Sequence, residues 1–490
     1  MSHTDPRILI IGAGMSGMLM AIRLLKAGIT QFEIVEKAER PGGTWRENTY
    51  PGLQCDVPAY MYSYSFAPNT ECSRRYATGS ELDAYFSRVF RDYELAKYTR
   101  FSTEVTSAEY DQGQWTVMTH DGQVRVVDIL ITATGILHHP QMPDIAGLDT
   151  FAGVTMHSAQ WRHDVPLHNK RVGVIGTGST AVQIVSTIAE QVPKLSVFQR
   201  TAQWVVPALD QRYSTWRQPV LRRAPFLARL FAKGYEQLWE HTAGNLPSSK
   251  WVAPSFDLAA RTFLRLSVKD KTLRRKLTPD YHAGCKRLVV ADHFYTAIQR
   301  SNVELVTDAI ERIEPQGVRT KDGRLHALDV LVLATGFRLQ YGWPMRVVGR
   351  NGQTLDDAWK RGSYAYRSMT MPGFPNLFFM QGPHSPLGNF SIVTVGEVQA
   401  DYLMQCIELF RQGKVSAMEP LAEPTKTFNA RMKEAAKGTV WASGCQSWYL
   451  DQDGVPAIWP YSFTAYRETM AQPDWADFNI TPVQTHRKQA

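Results

Sequence analysis

The sequence is poor in cysteine, in long apolar stretches and in concentrated charge. Its five cysteines, Cys55, Cys72, Cys285, Cys406 and Cys445, are odd in number, widely spaced and without a Cys-x-x-Cys pair. That pattern argues against a disulfide framework and against a zinc site, and for a reducing cytoplasm. No metal is expected. No segment reaches the roughly 20 consecutive apolar residues of a membrane-spanning helix, so no integral membrane segment is expected. The apolar run from Ile8 to Leu25 is broken by Gly12, Gly14 and Gly17 and has no small-residue cleavage site after it. It reads as a strand and a helix, not as a signal peptide. The net charge of +8 is scattered, with no long Lys/Arg run, which disfavours nucleic acid as a partner. A mild positive potential suits small anionic ligands instead. The 490 residues, 44% hydrophobic and 20% charged, suffice for two or three globular domains.

What is present begins with a glycine-rich turn. Arg7–Ile11 has the continuous apolar character of a buried parallel strand. Gly12-Ala-Gly14-Met-Ser-Gly17 follows, then an amphipathic helix to Ala27, ended by Gly28. Phe32–Glu36 is the next strand, and Glu36 lies 19 residues past Gly17. This is a dinucleotide-binding βαβ unit. The glycines let the backbone approach a pyrophosphate, the helix N-terminus favours its charge, and Glu36 accepts from ribose hydroxyls. Gly42-Gly43-Thr44-Trp45 and Tyr50-Pro51-Gly52, before Asp56, read by themselves as a surface loop. The spacing predicts a helix over 76–98, with Leu82, Tyr85, Phe86 and Val89 on one stripe. Glu104-Val105 and Trp115–Met118 read as strands around a turn at Asp121-Gly122. Asp128–Gly135 reads as a further strand.

A second unit starts at Arg171–Ile175 and turns at Gly176-Thr-Gly178-Ser179-Thr180-Ala181, with alanine in place of the third glycine. Its next strand, Leu195–Gln199, is followed by Arg200 and Thr201. Here the two units differ. An acid at the strand end repels a ribose 2′-phosphate, and a guanidinium binds one bidentately. The first unit therefore suits FAD and the second NADPH. Leu331–Gly336 echoes Ile131–Gly135. The fold class is α/β: a two-dinucleotide-binding-domain flavoprotein with two Rossmann-like domains and a helical insert at about 205–280. In that insert Phe226, Leu227, Leu230, Phe231, Leu238 and Trp239 fall at helical spacing beside Arg222, Arg223, Arg229 and Lys233. Such a helix can lie on a membrane surface, but packing on its own protein is the preferred reading.

Between the two glycine turns runs Phe151-x-Gly153-x-x-x-His157-x-x-x-Trp161. A Gly turn, a buried ring and a surface histidine would account for parts of it. Four fixed positions in eleven residues, so placed, resemble the fingerprint of Baeyer–Villiger monooxygenases. The resemblance extends over nearly the whole chain, with the motifs in family order. It implies that Gly43, Thr44 and Trp45 lie along the flavin, that Asp56 faces its ring and that Tyr62 belongs to the aromatic run that follows. It implies that Arg287, in the pair Lys286-Arg287, is the active-site arginine and that Lys286 helps to hold the NADP ribose phosphate. It also implies that Trp448, in Ser447-Trp448-Tyr449, contacts the nicotinamide cofactor. Val105, Ser179, Thr180 and Gln183 complete the expected cofactor-binding set.

The implied organisation is a flavin domain over 1–140, a nicotinamide domain over 141–375 whose insert covers the substrate pocket, and a return to the flavin domain with a C-terminal segment over 376–490. In the last part Asn376–Met380 reads as a strand and Gly396–Phe410 as a helix. Gly382–Ser385 reads as a turn with free backbone donors, and the polar last dozen residues as a frayed end. The implied reaction consumes NADPH and O2. Through a C4a-peroxyflavin, it inserts one oxygen atom beside the carbonyl of a small-molecule ketone, giving an ester or lactone. A permanent cation at Arg287, held by Asp56, would stabilise the anionic peroxide and the oxyanion formed by attack. Arg162 departs from the Pro or Asp usual after the fingerprint Trp, which leaves the loop geometry and subfamily open. Flavin disulfide reductases are disfavoured because no redox dithiol is present. A flavin-containing monooxygenase that oxidises nitrogen or sulfur is the alternative, disfavoured by Trp161 and Arg287. A non-catalytic flavin-binding sensor is a further one. A monomer or small homo-oligomer in the cytoplasm is expected.

Overall fold

The structure is a computed structural model. It describes residues 5–242, 244, 252–338, 345–386, 388, 390–445, 447, 450–451 and 454–483. Two five-stranded parallel sheets form its frame. The first runs, from edge to edge, Leu377–Phe379, Ile129–Thr132, Ile8–Ile11, Phe32–Val35 and Thr99–Arg100. The second runs Val303–Val306, Lys194–Phe198, Arg171–Ile175, Val330–Leu333 and Val154–His157. In each sheet the strand leading into a glycine turn is central. Both strands are rich in Ile or Val because both of their faces are covered.

The two units are built alike down to their ion pairs. Arg7, at the head of the first central strand, donates through its backbone N, Nε and Nη2 to Asp128 at 2.8, 3.1 and 2.8 Å. Arg171 does the same to Asp329 at the same three distances. Each carboxylate therefore ties the start of the central strand to the start of its neighbour.

The helix expected over 76–98 is shorter, Gly79–Asp92. A capping box starts it: Thr78 Oγ1 accepts from Glu81 N at 3.3 Å and Glu81 Oε2 accepts from Thr78 N at 2.9 Å. Removing the Thr78 hydroxyl would cost about 1 kcal/mol. It stops because Glu94 adopts φ +53, and a separate turn, Leu95–Tyr98, follows. The strand pair Val105–Asp111 and Gln114–Thr119 is closed by Gln112-Gly113, both at positive φ. Asp121-Gly122 instead joins Gln114–Thr119 to Val124–Val127. Arg346–Val348 pairs with Val105–Asp111, so the chain is already back beside the first unit there.

Helix Ile392–Arg411 lies against helix Met15–Lys26. The turn at 382–385 has no idle donors at its last two residues. His384 N donates to Ala457 O and Ser385 N to Gly382 O, both at 3.1 Å. Of the last dozen residues, 479–482 are not frayed, because Phe478–Pro482 pairs with Val415–Pro420, and 484–490 lie outside the described residues.

The insert holds helices Arg217–Arg223, Pro225–His241, Val252–Ser267 and Lys271–Lys276. Its long helix buries Ala228 and rests Leu227, Ala232, Tyr235 and Trp239 on the core of the first unit. Phe226 and Leu230 remain 63% exposed and Leu238 61%, so packing on its own protein accounts for one face only. No described helix is long and apolar enough to cross a membrane.

Candidate active site

A cavity of about 570 Å3 opens where the two units meet. Each glycine turn reaches it through backbone that tolerates no side chain. Gly12 has φ +107, and a Cβ there would stand 2.6 Å from Ala133 O; a Cβ on Gly17 would stand 1.8 Å from Gly12 O. Gly176 has φ +124 and the same conflict, 2.3 Å from Ala334 O. The two Ala-Thr-Gly echoes therefore have one meaning: each crosses over the first glycine of its own turn.

On the first unit's side, Gly12, Gly14, Glu36, Gly43, Thr44, Trp45, Asp56, Tyr62 and Val105 all line the cavity. Gly43 lies on Gly14, 3.1 Å from an added Cβ to the Cα. Glu36 is buried. Its Oε2 accepts from Ala13 N at 2.8 Å and its Oε1 from Ala38 N at 3.0 Å and Arg46 Nη1 at 3.3 Å. The carboxylate is thus pinned at the strand end, beside the turn. Trp45 Nε1 donates to Tyr62 OH at 3.2 Å, and their rings meet edge to face.

From the second unit come Gly178, Ser179, Thr180 and Gln183, the first turns of helix Ser179–Ile188. An added Cβ on Gly178 meets nothing within 4 Å, so the helix N-terminus faces open cavity. Such an end presents unpaired N–H groups and positive potential to an anion. Both cradles fit a dinucleotide pyrophosphate.

Arg287 and Asp56 meet at the cavity wall as a two-point fork, 2.9 Å from Nε to Oδ2 and 2.8 Å from Nη2 to Oδ1. Arg287 sits just before strand Val289–Val290, which pairs with Val205–Val206 beyond the second unit's Arg200. Lys286 and Arg200 do not line this cavity but stand near one another. Burial lowers the Lys286 pKa, and the Arg200 guanidinium adds to that. Thr201 O accepts from Thr177 Oγ1 at 2.7 Å, which fixes the loop that carries Arg200.

The fingerprint residues stay outside the cavity. Phe151 joins the core of the second unit, and Gly153 is required because a Cβ would stand 2.4 Å from Asp329 O and 2.7 Å from the Phe151 ring. His157 ends the edge strand Val154–His157. It is 3% exposed, its Nδ1 accepts from Ala159 N at 3.1 Å, and its ring meets Phe337, which does line the cavity. Burial holds its pKa down, against the opposing pull of the Gly336 backbone. Trp161 packs on the second unit's other core. Arg162 turns away to pair with Asp164 at 2.6 Å on the surface. Trp448 and Tyr449 lie outside the described residues.

Three features escaped the sequence reading. First, Tyr50 OH donates to Gln183 Oε1 at 3.0 Å, Gln183 Nε2 donates to Gln54 O at 2.9 Å, and a Cβ on Gly52 would stand 2.2 Å from Thr187 Oγ1. This Tyr-Pro-Gly loop is the seam between the units. Burial pushes the Tyr50 hydroxyl up to about 12, so it stays a donor. Second, Glu47 Oε2 and His138 Nδ1 stand 2.6 Å apart at the cavity wall, with Lys37 on the far ring nitrogen. Burial, the largest single effect, opposes the charged Glu47, but the His138 hydrogen bond together with the charges of His138, Arg46 and Lys37 outweighs it and its pKa falls. Third, and against expectation, Cys285 and Cys445 form a disulfide, with Cα atoms 6.1 Å apart. Their separation of 160 residues carries no local spacing pattern, so only the fold reveals the pair. Among the described residues no group of three His, Cys, Asp or Glu is placed to hold a metal ion.

The family described as flavin-binding monooxygenase-like matches residues 5–239. An uncharacterized monooxygenase of Mycobacterium tuberculosis is 46% identical, covering 96% of this chain and 95% of its own. A Baeyer–Villiger monooxygenase of Streptomyces coelicolor is 36% identical, covering 100% of this chain and 96% of its own. The solved structure of OTEMO in complex with FAD and NADP superposes with a TM-score of 0.88 at 26% identity, over 98% of this chain and 100% of that one. With its doubled parallel-sheet frame, its two glycine cradles facing one cavity and this full-length likeness, the chain belongs to the Baeyer–Villiger branch of the flavin-binding monooxygenases.

Proposed function

We propose that the chain holds FAD on its first unit and NADPH on its second, and uses O2 to convert a small-molecule ketone to an ester or lactone. The observation that carries this reading is the Arg287–Asp56 fork on the wall of the cavity shared by both glycine cradles. Bound FAD, reduced by NADPH, supplies the oxygen-activating chemistry. The chain supplies the rest. The turns at Gly12 and Gly176 and the two helix N-termini receive the pyrophosphates. Glu36 accepts from ribose hydroxyls, while Arg200 and Lys286 receive the 2′-phosphate. Trp45, Tyr62 and Val105 wall the flavin side.

Arg287 provides a cation that no physiological pH removes. Bound flavin would supply the activated oxygen, and attack on a ketone carbonyl would place negative charge on the former carbonyl oxygen. A fixed guanidinium at Arg287 would favour that charge without reorganising. Asp56 holds the fork in one orientation. Trp161 and Arg287 together stand against nitrogen or sulfur oxidation as the main activity.

The test is direct. Purified protein is supplied with NADPH, O2 and a panel of linear, cyclic, aryl and steroid ketones, and products are identified by mass. An ester or lactone one oxygen heavier than its ketone is expected, with NADPH consumption rising on ketone addition. Failure of every ketone to raise NADPH consumption would remove the reading.

A further inference from the structure

Cys285 stands immediately before Lys286-Arg287, and its disulfide reaches across to the C-terminal segment at Cys445. Both cysteines are buried, Cys285 completely. A second contact supports the first: Cys285 Sγ lies 3.9 Å from the carbonyl oxygen of Trp441, itself buried in the short turn Val440–Ala442. The segment 441–445 is thus fastened to the loop that carries both cations. Beyond it, Lys433 holds Asp451 at 2.8 Å, which returns the chain to helix Ala422–Lys437.

Within the loop, Cys285 N donates to His282 O at 3.1 Å, Lys286 Nζ lies 4.8 Å over the Tyr281 ring, and Arg287 is held by Asp56. Downstream is the two-residue strand Val289–Val290. Upstream, Ala283 N donates to Asp257 Oδ1 at 3.0 Å. Gly284 between them has φ +92 and is a natural pivot. The other three cysteines are free thiols and are not part of the bond. Cys55, Cys72 and Cys406 are buried, and burial pushes each thiol up, so they stay protonated.

We propose that Cys285 and Cys445 are positioning residues, and that their disulfide is a redox-responsive tether which sets the enzyme's grip on NADPH. Oxidised, it holds the C-terminal segment against the Lys286-Arg287 loop. Reduced, it releases the C-terminal segment and loosens the Lys286 side of the loop, and cofactor binding must then order them. The effect falls on NADPH affinity, because the Arg287–Asp56 fork does not depend on the bond. The chemistry is thiol–disulfide exchange. A dithiol gives two electrons and two protons, the sulfur–sulfur bond breaks, two cysteine thiols form, and the dithiol closes to its own disulfide. The reverse uses a small disulfide such as oxidised glutathione, which leaves as two thiols. By reciprocity, bound NADPH shifts the thiol–disulfide equilibrium toward the bonded form.

This inference rests on reading Lys286 and Arg287 as cofactor-site residues, and the test separates the two. Intact FAD-loaded enzyme is mapped by peptide mass spectrometry without reductant, then assayed before and after dithiothreitol treatment and removal of the reagent. The Cys285–Cys445 peptide pair is expected, with a several-fold rise in KM for NADPH on reduction and little change in kcat. Oxidised glutathione restores the low KM. C445S starts at the high KM and ignores the reductant. Saturating NADP+ leaves a larger fraction of the peptide pair cross-linked at equilibrium with the dithiol. If C445S fails to fold, reduction of the folded wild type still decides. Absence of the cross-linked peptide overturns the proposal, as does a reduced enzyme that loses thermal stability at unchanged KM. Ester formation at the wild-type rate by R287A would instead remove the cofactor-site reading beneath it.

Discussion

Arg287 grips Asp56 with both arms of its guanidinium across 231 residues of sequence, and the pair joins the arginine-bearing loop to the flavin-side loop. The side chains remain 32% and 22% exposed, open to the cavity and not sealed in the core. A fork of this kind fixes direction as well as distance, which a lysine at the same place cannot do.

Arg287→Ala should therefore abolish ester formation while some NADPH oxidation persists, a loss of about 100-fold or more in product rate. Arg287→Lys should recover little of it. Product yield by chromatography, set against NADPH consumed, checks both. Asp56→Ala keeps the cation but frees its orientation and should fall between wild type and Arg287→Ala. A fully coupled Asp56→Ala enzyme would mean that the fork has no role in catalysis.

Arg200 and Lys286 should decide between nicotinamide cofactors. Each charged hydrogen bond to a 2′-phosphate is worth about 1.5–3 kcal/mol, so Arg200→Ala should raise KM for NADPH roughly ten- to a hundredfold. KM for NADH should barely change. Comparison of kcat/KM for the two cofactors gives the answer, and an equal loss for both would show that Arg200 supports the loop and does not read the phosphate.

Two glycines make a matched pair of tests for the separate units. Gly17→Ala drives a Cβ to 1.8 Å from Gly12 O, so the first cradle should deform and the protein should purify without FAD. Gly52→Ala forces a Cβ to 2.2 Å from Thr187 Oγ1 and 2.7 Å from Gln183 O, at φ +80. That variant should keep its flavin, because the conflict lies at the seam and not in the cradle. Its flavin reduction by NADPH should slow, since the seam sets one unit against the other. Absorbance at the flavin band gives occupancy, and stopped-flow reduction gives the rate.

The frame was legible because parallel strands covered on both faces must be apolar throughout, and because glycine is forced wherever backbone meets backbone. Arg171–Ile175 falls where the sequence puts it for that reason. The place of Glu36 at the strand end was legible through its spacing from Gly17, whereas Arg287 and Asp56 were singled out only by the family resemblance. What escaped depends on distant partners. The seam at Tyr50 and Gly52 needs Gln183 and Thr187, and Cys285 needs Cys445. A turn at Asp121-Gly122 was read correctly as a turn but assigned to the wrong strands, because hairpin pairing depends on Gln112-Gly113 at positive φ, and Gln112 gives no such signal.

The duplicated ion pairs make a prediction about acid. Hydrogen bonds from Arg171 hold the Asp329 pKa at about 2, below its ordinary 3.8. At Asp128 burial works the other way, but the hydrogen bonds from Arg7 prevail and its pKa is also lowered. A carboxylate whose pKa is depressed in the folded state adds stability that is fully present above its unfolded value. That stability is lost as pH falls through the folded value. For Asp329 the window runs from 3.8 down to about 2. The partners are largely open to water, so each pair alone should add little. Its position matters more, since each pins the head of a central strand. Asp329→Asn should lower thermal stability at neutral pH and flatten its dependence on pH below about 4, where the wild type also loses the charge. Melting curves of the two proteins across that range would show it. Parallel curves, offset equally at every pH, would mean that the Asp329 charge contributes nothing and that only its shape is needed.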